Sequence, residues 1–337
     1  MKMGNKGPGW GFCLTISIAF LLAASLYSLS SGSAGIPLSK IIPIILKGRG
    51  TSEFSIISDI RLPRIILGFA IGGSLSLAGI ILQGIFRNPL VEPYTLGISG
   101  GAALGAALCI ILGLHRLFPD FAMPLFGFMG ALAVVLSVYL ANIHKKMLST
   151  DGFLLTGVMI SFISSSLVTL ILAISRIEEL HSIIFWIMGS LEEPGWVFII
   201  TVFCISLLCL VVSYFFCLDL NALSLGDEEA IHLGVNVVRT KKILFLIAAL
   251  LTGVSVSIAG IIGFVGLVVP HFARMFAGYD HRRLLIVSFL TGAGFLIFCD
   301  TLARTIVAPV ELPAGVITGI LGGSLFVYAL SKKSAAF

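Results

Sequence analysis

Long apolar runs recur along almost the whole chain, and short polar segments separate them. A helix needs about 20 mostly apolar residues to cross the hydrocarbon core of a bilayer. Most of the runs reach that length, which predicts about ten transmembrane helices. The predicted spans are 11–31, 65–86, 96–114, 122–141, 153–174, 195–217, 243–262, 285–306 and 314–330, with a shorter, proline-interrupted tenth element at 263–276.

Composition supports the same conclusion. Hydrophobic residues make up 58% of the 337 residues and charged residues only 11%, which is more apolar than a soluble core requires. We therefore predict an all-α integral membrane protein with a single transmembrane domain over residues 1–337. The run 12–27 resembles the apolar part of a signal peptide, but no convincing cleavage site follows it, so we interpret it as the first span.

The basic residues indicate an orientation. With both termini in the cytoplasm, most of the 21 Lys and Arg lie on the cytoplasmic side, as the positive-inside rule requires. The margin is modest, because the outer segment 40–64 is itself basic. We predict a multi-pass protein of the cell (cytoplasmic) membrane with both termini cytoplasmic.

No residue pattern predicts bond chemistry. The chain has no GxxxxGK[ST] phosphate loop, so if ATP drives the protein, a separate subunit binds the ATP. All six cysteines fall within or at the edges of apolar spans, without a CxxC pair or an accompanying histidine pattern, and are typical of small core residues. We predict no catalytic residue, no cofactor and no metal site.

The chain also resembles itself. Residues 74–81 (SLSLAGII) match residues 255–262 (SVSIAGII), and in the predicted topology the two copies run in opposite directions. This predicts an internal inverted repeat, as in many transporters, with a first copy at about 61–176 and a second at about 243–330. Chance similarity between small-residue helices is the alternative.

Two sets of glycines recur every fourth residue. Each set lies close to one face of a helix, where it lets a neighbouring backbone approach closely. We therefore predict tight helix packing rather than direct contact with a transported substrate. The sets are Gly97, Gly101 and Gly105, and Gly315, Gly319 and Gly323.

The longest predicted cytoplasmic loop is 218–242. Asp227 to Glu229 suit the start of a short helix and Gly234 suits its end, so the loop predicts a short amphipathic helix pair that could seat in a partner's groove. The alternative is a solvated loop whose basic end anchors the next span at the lipid surface.

On the predicted outer side, the second span opens with Arg61-Leu62-Pro63-Arg64. The two arginines share one helical face, and a proline is tolerated in a first turn. Arg304 lies at the outer end of the ninth span. Cations at a helix N-terminus oppose the macrodipole, so an acidic partner outside would explain Arg61 and Arg64. Snorkelling anchors are the alternative.

Several motifs occur together in this chain, and in combination they are specific. On them the chain resembles, along nearly its whole length, the FecCD-type permeases of type II ABC importers for iron-siderophore complexes, haem and vitamin B12. The motifs are Arg61-Leu62-Pro63-Arg64, Asn88-Pro89-Leu90-Val91-Glu92-Pro93, Trp186-Ile187-Met188-Gly189-Ser190, the run 263–271 with Arg274, Asp300 with Arg304, and Glu311-Leu312-Pro313.

The resemblance implies a ten-helix subunit that forms a homodimer in the lipid bilayer. It further implies two cytoplasmic ATPase subunits and an extracytoplasmic substrate-binding protein, and no nucleic acid. The positions that match the family's docking arginines are Arg61, Arg64 and Arg304. The resemblance also implies an inner gate at Ser149 and Thr150, and an ATPase-coupling loop with Gly226, Glu228, Glu229, Ala230, Gly234 and Arg239.

We therefore expect the permease subunit of an ATP-driven importer for a metal chelate, with an iron-siderophore complex ranked first. Haem, cobalamin and molybdate remain alternatives, because in this family selectivity rests largely with the binding protein. A secondary transporter would need a midplane ion site or buried titratable residues, and the sequence shows neither. A membrane enzyme would need clustered acids and histidines, for which His271 with Arg274 is the nearest candidate.

Overall fold

The computed structural model describes residues 9–32, 35–142, 150–192 and 195–334, and it contains no β-strand in these ranges. Besides the α-helices there is a π-helix (Ile56–Arg61) and a 3-10 helix (Pro93–Leu96). The α-helices are α1 (Trp10–Ser30), α2 (Leu38–Lys47), α3 (Ser52–Ser55), α4 (Leu62–Phe86), α5 (Ile98–Ile111), α6 (Leu114–Leu117), α7 (Ala122–Asn142), α8 (Thr150–Ile174), α9 (Ile177–Met188), α10 (Trp196–Phe215), α11 (Cys217–Leu225), α12 (Asp227–His232), α13 (Val237–Ala259), α14 (Val265–Ala277), α15 (His281–Thr305) and α16 (Ala314–Ser334).

The predicted spans are confirmed. In the described part of the chain, 8 helices are long and apolar enough to cross a membrane, namely α1, α4, α7, α8, α10, α13, α15 and α16. The shorter apolar helices α5 and α14 correspond to the two remaining predicted elements. Helix α9 was not predicted, because its 12 residues are too few to span a bilayer.

Helix α4 is the centre of the fold. In its most hydrophobic stretch 83% of the residues are buried, compared with 22% in α1 and α8. It packs against α10, α13, α14 and α15. Small residues permit these contacts: a Cβ on Gly72 would lie 2.3 Å from the Gly292 carbonyl oxygen, and one on Gly79 would lie 2.0 Å from the Gly266 carbonyl oxygen. Helices α1, α7, α8, α10 and α16 present mostly exposed apolar faces, as lipid-facing helices do.

The two glycine sets differ in their packing. In the first set, a Cβ on Gly97, Gly101 or Gly105 would lie between 2.1 and 2.7 Å from a backbone carbonyl oxygen of α7 or α8, so the predicted tight packing is confirmed there. In the second set only Gly315 is packed in this way, and a Cβ on Gly319 would meet no atom within 4 Å. For Gly319 the predicted tight packing is not found among the described residues, although its neighbours on the same helix face, Gly315 and Gly323, do contact other parts of the chain.

The helix order supports the inverted repeat at the level of whole elements. The set α4, α5, α7 and α8 and the set α13, α14, α15 and α16 each have the short helix second. Across the sets, α4 packs on α15 and α13 packs on α7, as a pseudo-two-fold arrangement would require. The matched sequences differ locally, since Gly79 lies within α4 whereas Gly260 ends α13 with φ +67°. The repeat boundaries stay a prediction.

The cysteines are core residues with one exception. All six are free thiols, and five of them are buried. Cys204 is exposed on α10, on a helix whose surface is mostly apolar. No group of three or more His, Cys, Asp or Glu lies close enough together to hold a metal ion within the ranges that the structure describes.

Candidate transport and docking sites

The three predicted docking arginines lie at one end of the bundle. Arg61 ends the π-helix that runs directly into α4, Arg64 lies in the first turn of α4, and Arg304 lies in the last turn of α15. All three are buried, with 2%, 7% and 6% of their surface exposed. Their guanidinium groups therefore do not form a free surface patch in this structure.

Two carboxylates neutralise much of this charge. Asp300 accepts a hydrogen bond from Arg304 Nε at 3.1 Å, and it lies 4.0 Å from Arg64 Nη1. Arg64 Nη2 donates to Glu311 Oε2 at 2.8 Å. Asp300 is itself buried, whereas the Glu311 side chain is 41% exposed. Glu311 is thus the accessible acid of this group, which we call the outer cluster (Arg61, Arg64, Asp300, Arg304 and Glu311).

Helix α1 supplies neutral partners to the outer cluster. Arg304 Nη2 donates to Ser28 Oγ at 2.9 Å, and Arg61 Nη1 donates to the Leu29 carbonyl oxygen. Both acceptors lie in the last turn of α1. The Leu29 carbonyl is one of the terminal carbonyl groups that lack a partner within a helix. The sequence reasoning anticipated an external acid for these arginines and missed their internal partners on α1 and at Glu311.

The predicted coupling loop contains the expected helix. Asp227 to Glu229 form the first turn of α12, and Gly234 follows the helix end with φ +87°. Gly226 precedes it with φ +143°, a backbone conformation that residues with a side chain rarely adopt, so glycine is favoured there. Arg239 is exposed in the first turn of α13, where its backbone N–H donates to the capping Asn236 side chain.

On its inner side, helix α12 packs against the short helix α11 and the start of the spanning helix α13. Ala230 is fully buried against Ala222, Leu223 and Val237. Asp227 accepts a 2.5 Å hydrogen bond from Lys241, whose side chain is only 4% exposed. A force on α12 is therefore transmitted to α11 and α13 through buried contacts rather than through a loose connection.

The opposite side of the same segment is open. Glu228, Glu229 and Arg239 are exposed. Large apolar residues beside them are exposed as well: Leu225 67%, Ile231 57% and Leu233 64%. Apolar side chains with charged neighbours, outside any membrane span, are typical of a protein contact surface. We call this surface the α12 face (Leu225, Glu228, Glu229, Ile231, Leu233 and Arg239).

A third polar site connects the two helix sets. The segment after α4 carries Glu92, whose Oε1 accepts a 2.6 Å hydrogen bond from the Phe264 backbone N–H, and Tyr94, whose hydroxyl accepts from Ile262 N–H at 3.2 Å. Gln83 donates to the Val91 and Gly266 carbonyl oxygens, both at 3.1 Å. Burial raises the pKa of the Glu92 carboxyl, and the Phe264 hydrogen bond opposes only part of that shift.

The predicted inner gate falls largely outside the described residues. Ser149 is not among them, and Thr150 is the first residue of α8. The gate therefore stays a prediction from the family resemblance. The acceptors of the Ile262 and Phe264 N–H groups were also missed, because Glu92 and Tyr94 lie far from residues 260–264 in sequence.

Comparison with known proteins identifies the family. The model of the FecCD transport family matches residues 20–332. The chain is 38% identical over 321 residues to the Fe(3+) dicitrate transport system permease protein FecD of Escherichia coli, covering 95% of this chain and 98% of that protein. It is 36% identical over 333 residues to the vitamin B12 import system permease protein BtuC of Klebsiella pneumoniae, covering 98% and 95%.

A solved structure supports the assignment at the level of the fold. An inward-facing structure, described as a metal-chelate type ABC transporter, superimposes with a TM-score of 0.84 at 32% identity, covering 95% of this chain and 98% of that one. The described helices therefore have the arrangement of an ABC transporter permease. The chain belongs to the FecCD transport family.

Proposed function

We propose that this chain is the membrane-spanning permease of an ABC importer that takes up a metal chelate, with an iron-siderophore complex ranked first. Relatives named for Fe(3+) dicitrate, hemin, vitamin B12 and molybdate are all similar to it at 36% identity or more. The variety of their named cargoes supports an importer of a metal chelate or an oxyanion. It does not distinguish between these cargoes, so the iron-siderophore complex is part of our proposal.

The α12 face is the observation that carries this proposal. It combines exposed acids and apolar residues with a buried attachment to α11 and α13. A separate ATPase that contacts this face would move the spanning helices directly, which alternating access requires. The chain then needs no nucleotide site of its own, in agreement with the missing phosphate loop.

The same proposal assigns places to the binding protein and to a second copy of the chain. The binding protein would dock outside at the outer cluster, and both termini and α12 would lie in the cytoplasm. A second copy of the chain would complete the transport path, and the open Gly319 side of α16 leaves room for close approach by another helix.

Affinity purification in mild detergent followed by mass spectrometry tests the proposal. The test variant combines Glu228→Lys and Glu229→Lys. The matched control combines Asp120→Lys and Glu178→Lys, which make the same charge change at exposed acids near the other ends of the spans.

We expect an ATPase to co-purify with the wild type and with the control, and to be lost from the test variant. Loss of the ATPase from both variants would show that the α12 face has no specific role in its binding. A folded wild-type protein that carries no ATPase would favour a secondary transporter instead.

A further inference from the structure

A large cavity opens at the end of the bundle opposite the outer cluster. Its volume is about 530 Å³, and it lies between the C-terminal ends of α4 and α14 and the start of α15, with Ser224 of α11 and Ala329 of α16 at its edges. Among the described residues that line it there is no Asp or Glu. Its polar lining is Gln83, Arg87, Asn88, Ser224, His271, Arg274, Tyr279 and His281.

Two buried nitrogen atoms of this lining have no hydrogen-bond partner among the described residues. Arg274 Nη1 is buried and makes no hydrogen bond with any described residue. His281 is only 4% exposed, and its Nδ1 lies 2.8 Å from Asn221 Oδ1. That oxygen can only accept, so Nδ1 carries a proton. The other ring nitrogen, Nε2, is left without a partner.

The nearby acids do not serve these groups. Asp280 accepts from the Asn221 side chain at 2.8 Å and from the Arg282 backbone N–H at 3.0 Å. Asp227 pairs with Lys241. The Glu229 carboxylate lies beside Gly226, a position that Arg87 Nη1 also approaches, but Glu229 does not line the cavity. The cavity therefore holds two arginines without a carboxylate in its wall.

A buried guanidinium N–H without an acceptor is costly, and native proteins rarely leave one unpaired. An anion in the cavity would accept from Arg274 and lie within reach of the Arg87 charge. Arginine suits phosphate groups in particular, because its N–H groups match their oxygens in a two-point contact. With the ring proton on Nδ1, His281 Nε2 is an acceptor, so the two arginines supply the charge that attracts an anion.

We propose that this cavity binds a phosphate group, with Arg274 and Arg87 as its cationic contacts. The cavity lies at the ends of spanning helices, which is the level of lipid headgroups, and basic pockets at this level bind anionic lipids. The phosphate can belong to an anionic phospholipid headgroup or be free in solution. The inference does not depend on the transport proposal.

The test uses the purified full-length chain and distinguishes these two sources. One arm adds phosphatidylglycerol or phosphatidylcholine and counts retained lipids by native mass spectrometry. The other arm titrates inorganic phosphate against chloride at equal ionic strength and follows the melting temperature. The variants are Arg274→Gln and Arg87→Gln, and the control is Arg283→Gln, an exposed arginine at the same end of the bundle that does not line the cavity.

We expect Arg274→Gln to weaken binding about tenfold, as loss of a charge-assisted hydrogen bond does, and Arg87→Gln to weaken it less. Arg283→Gln should have no effect. Arg87 is exposed, so its variant tests the site even if Arg274→Gln does not fold.

Retention of phosphatidylglycerol alone identifies a headgroup site, and stabilisation by phosphate alone identifies a free anion. Binding of neither probe, or equal losses with Arg283→Gln, would overturn the proposal.

Discussion

At one end of α4 three arginines are buried among internal acceptors, whereas at the other end the acids of the α12 face are exposed to solvent. Helix α4 has 25 residues and separates these regions by about 37 Å, at a rise of 1.5 Å per residue. The outer arginines are predicted partner contacts because of their charge at a helix N-terminus, and the α12 face because of its amphipathic pattern. If both contact partners as proposed, the α12 face can do so as it stands, whereas the outer cluster first needs a change in its own ion pairs.

The comparison can be tested most strongly at Asp300. This acid lies between Arg64 and Arg304 with 6% of its side chain exposed. Asp300→Asn would leave two buried guanidinium groups without their shared charge, which costs roughly 3–5 kcal/mol. We expect a large fall in the melting temperature, which can be measured by tryptophan fluorescence of the protein in detergent. An unchanged melting temperature would show that α1 and Glu311 suffice to hold the arginines.

A smaller loss is expected at the buried side of α12. Lys241→Met keeps the length of the side chain but removes the donor to Asp227, and we expect about 1–3 kcal/mol of destabilisation. Asp227 is 17% exposed and can regain some hydration. Lys242→Met is the control, because Lys242 is exposed and its Nζ lies 5.3 Å from the centre of the Tyr139 ring. Equal effects of the two variants would mean that the Lys241 pair does not fix α12.

At Glu311 the expected change in stability is no more than about 1 kcal/mol, because the side chain is 41% exposed. Glu311→Gln nevertheless removes the accessible carboxylate from Arg64. If the outer cluster is the docking site, Glu311 then no longer competes with an acidic residue of the binding protein for Arg64, and the binding protein binds more tightly. Titration of the purified chain with the separately purified substrate-binding protein of the same importer measures this. Weaker binding would show that Glu311 itself contacts the partner.

The smallest effect on the chain is expected at the α12 face. Glu228 and Glu229 are exposed in the first turn of α12, where an acid interacts with the helix macrodipole by only about 0.3–1 kcal/mol, and less in salt. The combined Glu228→Lys and Glu229→Lys variant should therefore melt within a few degrees of the wild type. A large fall would mean that these acids stabilise α12 itself, and loss of the ATPase would then no longer indicate a contact surface.

Local patterns predicted local structure well. The short helix α12 follows from Asp227 to Glu229 at its start and Gly234 after its end, because capping preferences act within a few residues. The spans follow from apolar length alone. In contrast, the partner of Arg64 is Glu311, 247 positions away in sequence, and no local pattern encodes such a pair.

Two further differences have the same origin. Gly79 and Gly260 match in sequence, yet one lies inside a helix and the other ends one, because neighbours from the other half of the fold decide where the chain can bend. Gly319 fits the spacing of a packing stripe, but a Cβ there would meet no described atom within 4 Å. Spacing predicts which face carries the glycines and does not predict what lies against it.

The break between α13 and α14 has a consequence for the kinetics of opening. Irregular backbone at membrane depth needs hydrogen-bond partners for its amides, either water in a cavity or other protein groups, and here Tyr94 and Glu92 accept the hydrogen bonds of the Ile262 and Phe264 amides. Exchange of these amide hydrogens with deuterium then requires the two helix sets to separate. We expect them to exchange as slowly as amides in the middle of α13, and Glu92→Ala to accelerate the exchange of Phe264. The segment between α13 and α14 would thus stay closed for most of the time, and the exchange rate of its amides would report how often the two halves of the permease move apart.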